Sequence, residues 1–244
     1  MSKSALADQV ALVTGGSKGY GLGIATELQK AGARVVITGR DQVALESAAK
    51  QIGATPIVAD VTSAEDWDRV IGGIEREHGK LDILINNAGA GVKIAPVDEQ
   101  SVAAIQQAVA VNLIGPIFGA RAAVPLMKKQ GSGTIINISS ICARESWPGW
   151  AVYGAAKAGL QQFSEGLYVE TRSHGIRVTT LTPSWGLTDF LRSAEIPEFA
   201  KETAGKVTQP AELGRIVVDL CALPAHLCAL DYTLLPLVQQ IEPL

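Results

Sequence analysis

The sequence is poor in charge, in aromatic rings and in cysteine. Charged residues make up 18% of the 244 residues, aromatic residues make up 5%, and the formal net charge is -3. A mildly acidic chain without a basic run offers no electrostatic footprint for nucleic acid or for an anionic membrane surface. Hydrophobic residues reach 47%, which excludes a disordered chain and indicates that partner subunits cover some apolar surface.

The three cysteines, Cys142, Cys221 and Cys228, are odd in number and widely spaced. This favours free thiols in a reducing compartment over a disulfide, and no group of Cys and His residues has metal-ligand spacing. The N-terminus has no signal-peptide pattern, and no run approaches the roughly 20 uninterrupted apolar residues of a membrane helix. We therefore expect a cytoplasmic protein without a metal site.

Short β-branched runs alternate with helix-period segments along the chain. The predicted strands are 10–14, 34–38, 55–59, 83–85, 134–138, 177–181 and 230–235. The predicted helices are 21–31, 41–51, 64–78, 102–129, 153–173 and 211–222. Asp41 and Ser63 are candidate N-caps, and Pro116 is expected to bend the fourth helix.

The strands lack period-2 alternation, which is typical of a sheet buried on both faces. Alternating strands and helices predict right-handed crossovers and parallel pairing. The chain is therefore predicted to form one α/β domain over residues 1–244, a Rossmann-type, doubly wound sheet of about seven strands. The irregular segment 183–209 is predicted to be a substrate loop or lid.

A glycine-rich turn follows the first strand and opens the first helix. Residues 14–21 read Thr-Gly-Gly-Ser-Lys-Gly-Tyr-Gly. Gly15 permits a tight turn, while Gly19 and Gly21 let the backbone approach a pyrophosphate at the helix N-terminus. Turns attract glycine in any protein, but the strand-turn-helix context favours a dinucleotide site.

The end of the second strand indicates which dinucleotide binds. An acidic residue there would hold a ribose 2′-hydroxyl and favour NAD, but Gly39 and Arg40 stand in its place. Arg40 and Lys18 are candidate partners of a 2′-phosphate. Asp41 is the counter-argument, although it is better placed to cap a helix. We therefore predict NADP(H), against the alternative that Arg40 is a solvated surface charge.

Tyr153 and Lys157 form a Tyr-x-x-x-Lys pattern on a predicted helix, where residues four apart share a face. A lysine ammonium near a phenol lowers the tyrosine pKa, which suits general acid-base catalysis. Ser140 follows the fifth strand, and its hydroxyl could polarise a substrate carbonyl. Each of these features alone is equally typical of packing and solvation.

Together these motifs resemble the short-chain dehydrogenase/reductase family from Val10 to at least Thr188. The turn matches the family's Thr-Gly-x-x-x-Gly-x-Gly, and residues 86–89 match its Asn-Asn-Ala-Gly. The resemblance implies a catalytic tetrad in which Ser139 competes with Ser140 and the spacing to the tyrosine selects Ser140. The implied tetrad is Asn112, Ser140, Tyr153 and Lys157.

The resemblance also implies a set of cofactor contacts and a role for each tetrad residue. The expected cofactor contacts are Gly15, Ser17, Lys18, Gly19, Tyr20, Gly21, Arg40, Asp60, Val61, Asn87, Ala88, Gly89, Tyr153, Lys157, Pro183 and Thr188. In the implied mechanism, Tyr153 protonates the carbonyl oxygen and Ser140 holds it. Lys157 binds the nicotinamide ribose, and Asn112 positions a water.

The chain departs from the family pattern after the sixth strand. The family often reads Pro-Gly-x-Val-x-Thr there, whereas this chain has Ser184 and Gly186 at the second and fourth positions. Those two residues leave the backbone path uncertain. The C-terminal segment 230–240 instead looks like that of a branch with serine and 3-hydroxy acid dehydrogenases.

Aromatic residues concentrate in segments expected near the catalytic tyrosine. They are Trp147, Trp150, Trp185 and Phe190. They predict an apolar or aromatic wall for the substrate, with lid packing or a subunit contact as an equally weighted alternative. Arg144 and Arg192 are weaker candidates for contact with an acidic substrate group.

The resemblance implies an NADPH-dependent carbonyl reductase, reversible to an alcohol dehydrogenase, that acts on a small ketone or secondary alcohol. Alternatives within the family are a 3-hydroxy acid or serine-type dehydrogenase and a 3-oxoacyl reductase. A non-catalytic NADP-sensing or scaffold protein belongs to a different class, which the complete tetrad disfavours. The family commonly forms homo-oligomers, so we expect a tetramer or a dimer.

Overall fold

A computed structural model of the chain describes residues 5–89, 94–194 and 199–239. Within these residues, a seven-stranded parallel sheet has the order β3-β2-β1-β4-β5-β6-β7. The strands are β1 (Val10–Thr14), β2 (Arg34–Gly39), β3 (Thr55–Val58), β4 (Ile83–Asn86), β5 (Gly133–Ile138), β6 (Ile176–Pro183) and β7 (Asp231–Leu234). The predicted doubly wound fold is confirmed.

Helices flank the sheet on both faces. They are α1 (Gly19–Lys30), α2 (Gln42–Ile52), α3 (Ala64–His78), α4 (Val102–Val109), α5 (Gly115–Gln130), α6 (Ala151–Thr171), α7 (Phe190–Ser193), α8 (Lys201–Ala204) and α9 (Pro210–Cys221). Side chains of α1, α2 and α9 share one hydrophobic core with the sheet, and those of α3, α5 and α6 share the other.

The central strands contribute alternate side chains to the two cores. In β1, Ala11 and Val13 pack toward α1 and α9, whereas Val10 and Leu12 pack toward α3 and α5. All five residues of β1 are buried, as the uninterrupted apolar run predicted. The same prediction is wrong for β3 and β7, which lie at the sheet edges and keep exposed positions because each has a single neighbouring strand.

Both predicted N-caps are confirmed. The Asp41 carboxylate accepts a hydrogen bond from the backbone N–H of Ala44 at 3.0 Å. The Ser63 hydroxyl accepts one from the backbone N–H of Asp66 at 3.1 Å. Each cap satisfies a donor that the first helical turn leaves without an intrahelical partner. The sequence therefore fixes where α2 and α3 begin.

The long helix predicted over 102–129 is interrupted before Pro116. A π-helical turn, Ala110–Ile114, joins α4 to α5. Pro116 lies in the first turn of α5 and has no N–H to donate to the carbonyl of Asn112, four residues earlier. The regular α-helical ladder therefore cannot continue through this point. The helix is thus interrupted ahead of Pro116, by a π-helical turn that contains Asn112.

By length and composition alone, the combined helix over 102–130 could cross a membrane. Its apolar side chains instead pack against the sheet, where Ala120, Ala123 and Met127 are buried. The apolar character of this helix is therefore that of a core helix.

The predicted lid segment contains two short helices, α7 and α8. A parallel bridge between Gly186 and Thr208 ties its two ends together. Residues 195–198 of this segment lie outside the described residues. The amino end of the segment is thus held beside the start of α9.

Candidate active site

The glycine turn is closed tightly on itself at the carboxyl end of β1. Gly15 and Gly19 have positive φ values of 65° and 53°, which L side chains rarely adopt. A Cβ on Gly21 would lie 2.1 Å from the carbonyl oxygen of Gly15. Lys18 precedes α1 without a capping hydrogen bond from its side chain. The amides of this helix N-terminus therefore offer a site for an anion.

Thr14 and Asn87 bind the glycine turn to the end of β4. The Thr14 hydroxyl oxygen accepts hydrogen bonds from the backbone N–H of Asn87 at 3.0 Å and of Ala88 at 2.9 Å. The Asn87 side-chain amide donates to the Thr14 carbonyl at 2.8 Å. Asn87 and Ala88, both predicted to contact the cofactor, therefore lie beside the turn, and the Asn87 side chain supports it.

The two candidate serines after β5 have different hydrogen-bond partners. Ser139 is buried, and its hydroxyl donates to the Lys157 carbonyl oxygen at 3.3 Å. The Ser140 hydroxyl oxygen accepts from the backbone N–H of Cys142 at 3.3 Å. It also lies close enough to the Tyr153 phenol to lower the pKa of that group, against the larger effect of burial. The structure therefore brings Ser140 to the tyrosine and assigns Ser139 to the contact with α6.

Tyr153 and Lys157 project from α6 toward the end of β5. Their exposed fractions are 6% and 4%, so both side chains are essentially removed from water. The Lys157 ammonium donates to the carbonyl oxygen of Ile138 at 2.9 Å. It lies 5.8 Å from the centre of the Tyr153 ring. The predicted Tyr-x-x-x-Lys pair is thus assembled next to Ser140.

Burial dominates the protonation of this pair. The expected lowering of the Tyr153 pKa by Lys157 is wrong for this structure, because burial raises the pKa of the phenol well above its usual value. Burial also lowers the pKa of Lys157 to about 8. The phenol therefore keeps its proton at neutral pH, while the lysine loses its charge in the mildly alkaline range.

Asn112 lies in the π-helical turn and reaches the same site. Its side-chain amide donates to the Ala108 carbonyl at 3.0 Å. A Cβ placed on Gly89 would lie 3.2 Å from Asn112 Oδ1 and 3.9 Å from Lys157 Nζ. Asn112 and Lys157 thus converge over Gly89, where a larger residue would crowd both.

The two candidate cations for a 2′-phosphate make only loose ion pairs. Lys18 Nζ lies 3.7 Å from Asp189 Oδ2, and Arg40 Nη1 lies 4.0 Å from Asp60 Oδ2. The Lys18 and Arg40 side chains are 69% and 67% exposed. Such exposed pairs hold their partners weakly, so both cations are accessible to a ligand.

The other predicted contacts lie at the neighbouring strand ends. Ser17 Oγ is 3.8 Å from the position a Cβ would take on Gly39, at the tip of β2. Asp60 Oδ1 accepts from the backbone N–H of Thr62 at 2.9 Å. The Val61 carbonyl oxygen accepts from the Trp67 indole N–H at 3.0 Å. These residues therefore lie in the loops that follow the carboxyl ends of β1, β2 and β3.

The departures after β6 have structural explanations. The Ser184 N–H donates to the Leu234 carbonyl at 3.1 Å, which continues the pairing of Pro183 with β7 in extended backbone. Gly186 lies against Tyr20 so closely that a Cβ there would be 1.7 Å from the tyrosine hydroxyl oxygen. Two residues on, the Thr188 Cβ lies 3.4 Å from the position a Cβ would take on Gly19 in the glycine turn. The path that the sequence left uncertain is therefore defined.

The four predicted substrate aromatics divide into one pair and two separate residues. Trp150 and Phe190 surround Tyr153, with ring centres 5.7 and 5.4 Å from that of the tyrosine. Trp185 instead packs on Phe199, with ring centres 5.4 Å apart. Trp147 is half-buried in the loop before α6. The predicted wall therefore reduces to Trp150 and Phe190 around the tyrosine.

The apolar cluster around Tyr153 includes residues that the sequence did not single out as substrate contacts. They are Ile94, Ala108, Cys142 and Val152. Burial in this cluster raises the pKa of the Cys142 thiol. Val152 directly precedes Tyr153 and is the one member that the catalytic motif could have indicated.

Arg144 is bound within the protein and does not face the substrate region as an available cation. Its guanidinium forms an ion pair with Asp231 and donates to the Thr233 hydroxyl at 2.8 Å. The hypothesis that Arg144 meets an acidic substrate group is therefore corrected: the arginine ties the loop after β5 to β7. Arg192 lies exposed on α7.

A family model described as short chain dehydrogenase matches residues 9–198. The chain belongs to the short-chain dehydrogenase family. An uncharacterized oxidoreductase of Staphylococcus aureus strain USA300 is 33% identical over 234 residues, which cover 95% of this chain and 98% of that protein. This short-chain dehydrogenase is therefore an oxidoreductase.

Two solved structures show what similar enzymes bind. The closed form of a serine dehydrogenase complexed with NADP+ is 28% identical with a TM-score of 0.89, over 97% of this chain and 98% of that one. A 3-ketoacyl-(acyl-carrier-protein) reductase from Brucella melitensis complexed with NADH is 32% identical with a TM-score of 0.85, over 93% and 98%. These neighbours of the short-chain dehydrogenase thus include complexes with both types of nicotinamide cofactor.

Proposed function

We propose that this short-chain dehydrogenase is an NADPH-dependent carbonyl reductase, reversible to an alcohol dehydrogenase. The observation that carries the proposal is the meeting of Ser140, Tyr153 and Lys157 at the carboxyl end of β5. Ligands of doubly wound sheets bind at this end of the strands. A reactive carbonyl at this point would contact the serine and tyrosine hydroxyls together.

The glycine turn suits a dinucleotide pyrophosphate. Gly21 lets the turn close tightly, because a Cβ there would lie 2.1 Å from the Gly15 carbonyl oxygen. The N-terminus of α1 beside the turn offers backbone N–H groups to a phosphate. Arg40 and Lys18 supply positive charge for a 2′-phosphate, and Gly39 stands where an acidic residue would favour NAD. When bound, the reduced nicotinamide supplies the hydride that reaches the carbonyl carbon.

The protein's own residues manage the proton and the charge on oxygen. Tyr153 holds its proton at neutral pH because its pKa is raised, so it can donate that proton to the carbonyl oxygen. The Ser140 oxygen already accepts from Cys142 N–H, which leaves the serine proton to hydrogen-bond the substrate oxygen. The Lys157 ammonium, close to the ring, stabilises the phenolate that forms.

The lining of the site favours an apolar ketone as the substrate. Trp150 and Phe190 present aromatic faces next to Tyr153, which suits an alkyl or aryl substituent. Arg144, one of the two predicted partners for a carboxylate, is engaged by Asp231. We therefore favour a small ketone over the serine, 3-hydroxy acid and 3-oxoacyl substrates of the alternative functions.

We further propose a cytoplasmic homo-oligomer, either a tetramer or a dimer. The three cysteines are free thiols, as a reducing compartment predicts. Apolar side chains remain exposed around β7, among them Leu230, Tyr232 and Leu237, and a self-complementary contact would bury them. Light scattering of the purified protein should give a mass of two or four chains, and a monomer would contradict this proposal.

The proposed function is tested by following NADPH and NADH oxidation with two panels of substrates. One panel holds small ketones with alkyl or aryl groups, and the other holds keto acids and 3-oxoacyl thioesters. We expect turnover of the ketones with NADPH preferred. Binding of NADPH without turnover of any carbonyl would instead support the sensing or scaffold alternative.

A further inference from the structure

Tyr20 occupies the space that any side chain at position 186 would need. A Cβ built on Gly186 would lie 1.7 Å from the Tyr20 hydroxyl oxygen, 2.4 Å from Cζ and 3.2 Å from Cε1. Non-bonded carbon atoms pack at about 3.5 Å or more. Residue 186 can therefore carry no side chain while the tyrosine ring keeps this position.

The Tyr20 ring is anchored where the glycine turn becomes a helix. Tyr20 stands between Gly19 and Gly21 in the first turn of α1, and its ring packs against the core beneath α1 and α9. Its hydroxyl is buried without a well-formed hydrogen bond to any described residue, although the Thr208 hydroxyl faces it. The core therefore holds the Tyr20 ring in place, and its hydroxyl end lies against Gly186.

The segment that carries Gly186 is held from its other side as well. The Thr208 N–H donates to the Trp185 carbonyl, and the Leu187 N–H donates to the Thr208 carbonyl, each at 3.0 Å. Beyond Gly186, the Thr188 Cβ lies 3.4 Å from the position a Cβ would take on Gly19. The segment therefore sits between the start of α9 and the glycine turn, with Gly186 at the contact.

We propose that Tyr20 and Gly186 are a size-matched pair that sets the position of Thr188 over the glycine turn. Tyr20 would then be a positioning residue, because its ring sets the distance between the 185–189 segment and the glycine turn. This inference rests on the proposed function, because the turn and Thr188 are the surfaces proposed to hold the cofactor. It also accounts for the glycine at position 186, where any Cβ would overlap the Tyr20 hydroxyl.

The pairing is tested with Gly186→Val, Tyr20→Leu and the double variant. Affinity for NADPH is measured by titration of nucleotide fluorescence, which needs no turnover. Gly186→Val should weaken NADPH binding about tenfold or more, because overpacking against the ring displaces the segment. The double variant should recover most of the wild-type affinity, because leucine has no ring at that position. The predicted cofactor contact of Tyr20 would be made by its backbone in the first turn of α1, since its side-chain hydroxyl is buried.

Two controls separate this pairing from a general loss of stability. Tyr20→Phe combined with Gly186→Val should fail to recover affinity, because ring atom Cζ alone is 2.4 Å from the valine Cβ position. Gly166→Val, at a glycine of α6 with no atom within 4 Å of its Cβ position, should bind NADPH as the wild type does. Melting temperatures are recorded for every variant, and Gly186→Ala replaces the valine variant if that one does not fold.

Two results would overturn the inference while leaving the proposed function intact. One is wild-type NADPH affinity in folded Gly186→Val, and the other is a double variant that regains stability without regaining affinity. If the wild-type protein itself does not bind NADPH, the proposed function fails, and the cofactor role of the pair fails with it. Rescue by leucine but not by phenylalanine would support the pairing.

Discussion

The ammonium nitrogen of Lys157 lies 2.9 Å from the carbonyl oxygen of Ile138, the last residue of β5. This hydrogen bond attaches the middle of α6 to the strand end that is followed by Ser140. It satisfies one donor of a buried ammonium, which would otherwise be costly to bury. The contact therefore holds lysine, serine and tyrosine in a fixed mutual arrangement.

Tyr153→Phe should abolish most turnover and leave cofactor binding intact. The change removes the phenol proton that the mechanism donates, and loss of a general acid costs about a hundredfold or more. Steady-state ketone reduction and a separate NADPH titration measure the two effects. Tyr168→Phe on the same helix is the matched control and should behave as the wild type. Substantial turnover by Tyr153→Phe would refute the assignment.

Ser140→Ala and Ser139→Ala should separate catalysis from packing. Ser140→Ala removes a hydrogen-bond donor to the substrate oxygen and should lower kcat about a hundredfold. Ser139→Ala removes the buried bond to the Lys157 carbonyl and should cost about 1 kcal/mol of unfolding free energy, with kcat close to wild type. Kinetics and denaturant titration measure both variants, and the reverse pattern would exchange the two roles.

Ketone reduction should decline as the pH rises through about 8, the lowered pKa of Lys157. Above this pH the lysine is neutral and no longer stabilises the phenolate, while the raised pKa of Tyr153 keeps the phenol protonated. A kcat/KM profile of the wild type measures the decline. Lys157→Arg should lose this alkaline limb, because a guanidinium stays charged. A limb unchanged in that variant would point to another group.

The titration of Lys157 does not destabilise the folded protein in the pH range where ketone reduction declines. Its pKa falls from 10.5 to about 8 on folding, so between these values the unfolded chain binds more protons than the folded one. The contribution of this lysine therefore increases the free energy of unfolding as the pH rises through that window. Activity and this contribution to stability should thus change in opposite directions, which circular dichroism melts at each pH can check.

Much of the fold follows from local patterns in the sequence. The uninterrupted apolar run of β1 predicts a strand buried on both faces, and Asp41 and Ser63 mark helix starts through bonds to residues only three positions away. The edge strand β7 shows the limit of this reasoning, because its exposure depends on having one neighbour. Pro116 predicts a bend, but no pattern in the sequence indicates the π-helical turn over Ala110–Ile114.

The site was predicted in outline, and its electrostatics were not. The Tyr-x-x-x-Lys pattern places Tyr153 and Lys157 on one helix face, but the rise in the tyrosine pKa comes from burial that no motif reports. Arg144 looked available because its partner Asp231 lies 87 residues away in sequence. The reason for a glycine at position 186 likewise depends on Tyr20, which is far away in sequence and adjacent in the fold.

Arg40→Ala should weaken NADPH binding about tenfold and change NADH binding little, because a hydrogen bond to a charged phosphate is lost in one case and absent in the other. Arg40 is exposed and its nearest carboxylate, on Asp60, is 4.0 Å away, so the substitution should not disturb the fold. Titrations with both nucleotides measure the change. Arg172→Ala, at the far end of α6, is the control and should leave both affinities unaltered. Equal losses of affinity for NADPH and NADH would show that Arg40 does not bind the 2′-phosphate. If the wild type binds NADH more tightly than NADPH, the predicted cofactor preference is wrong.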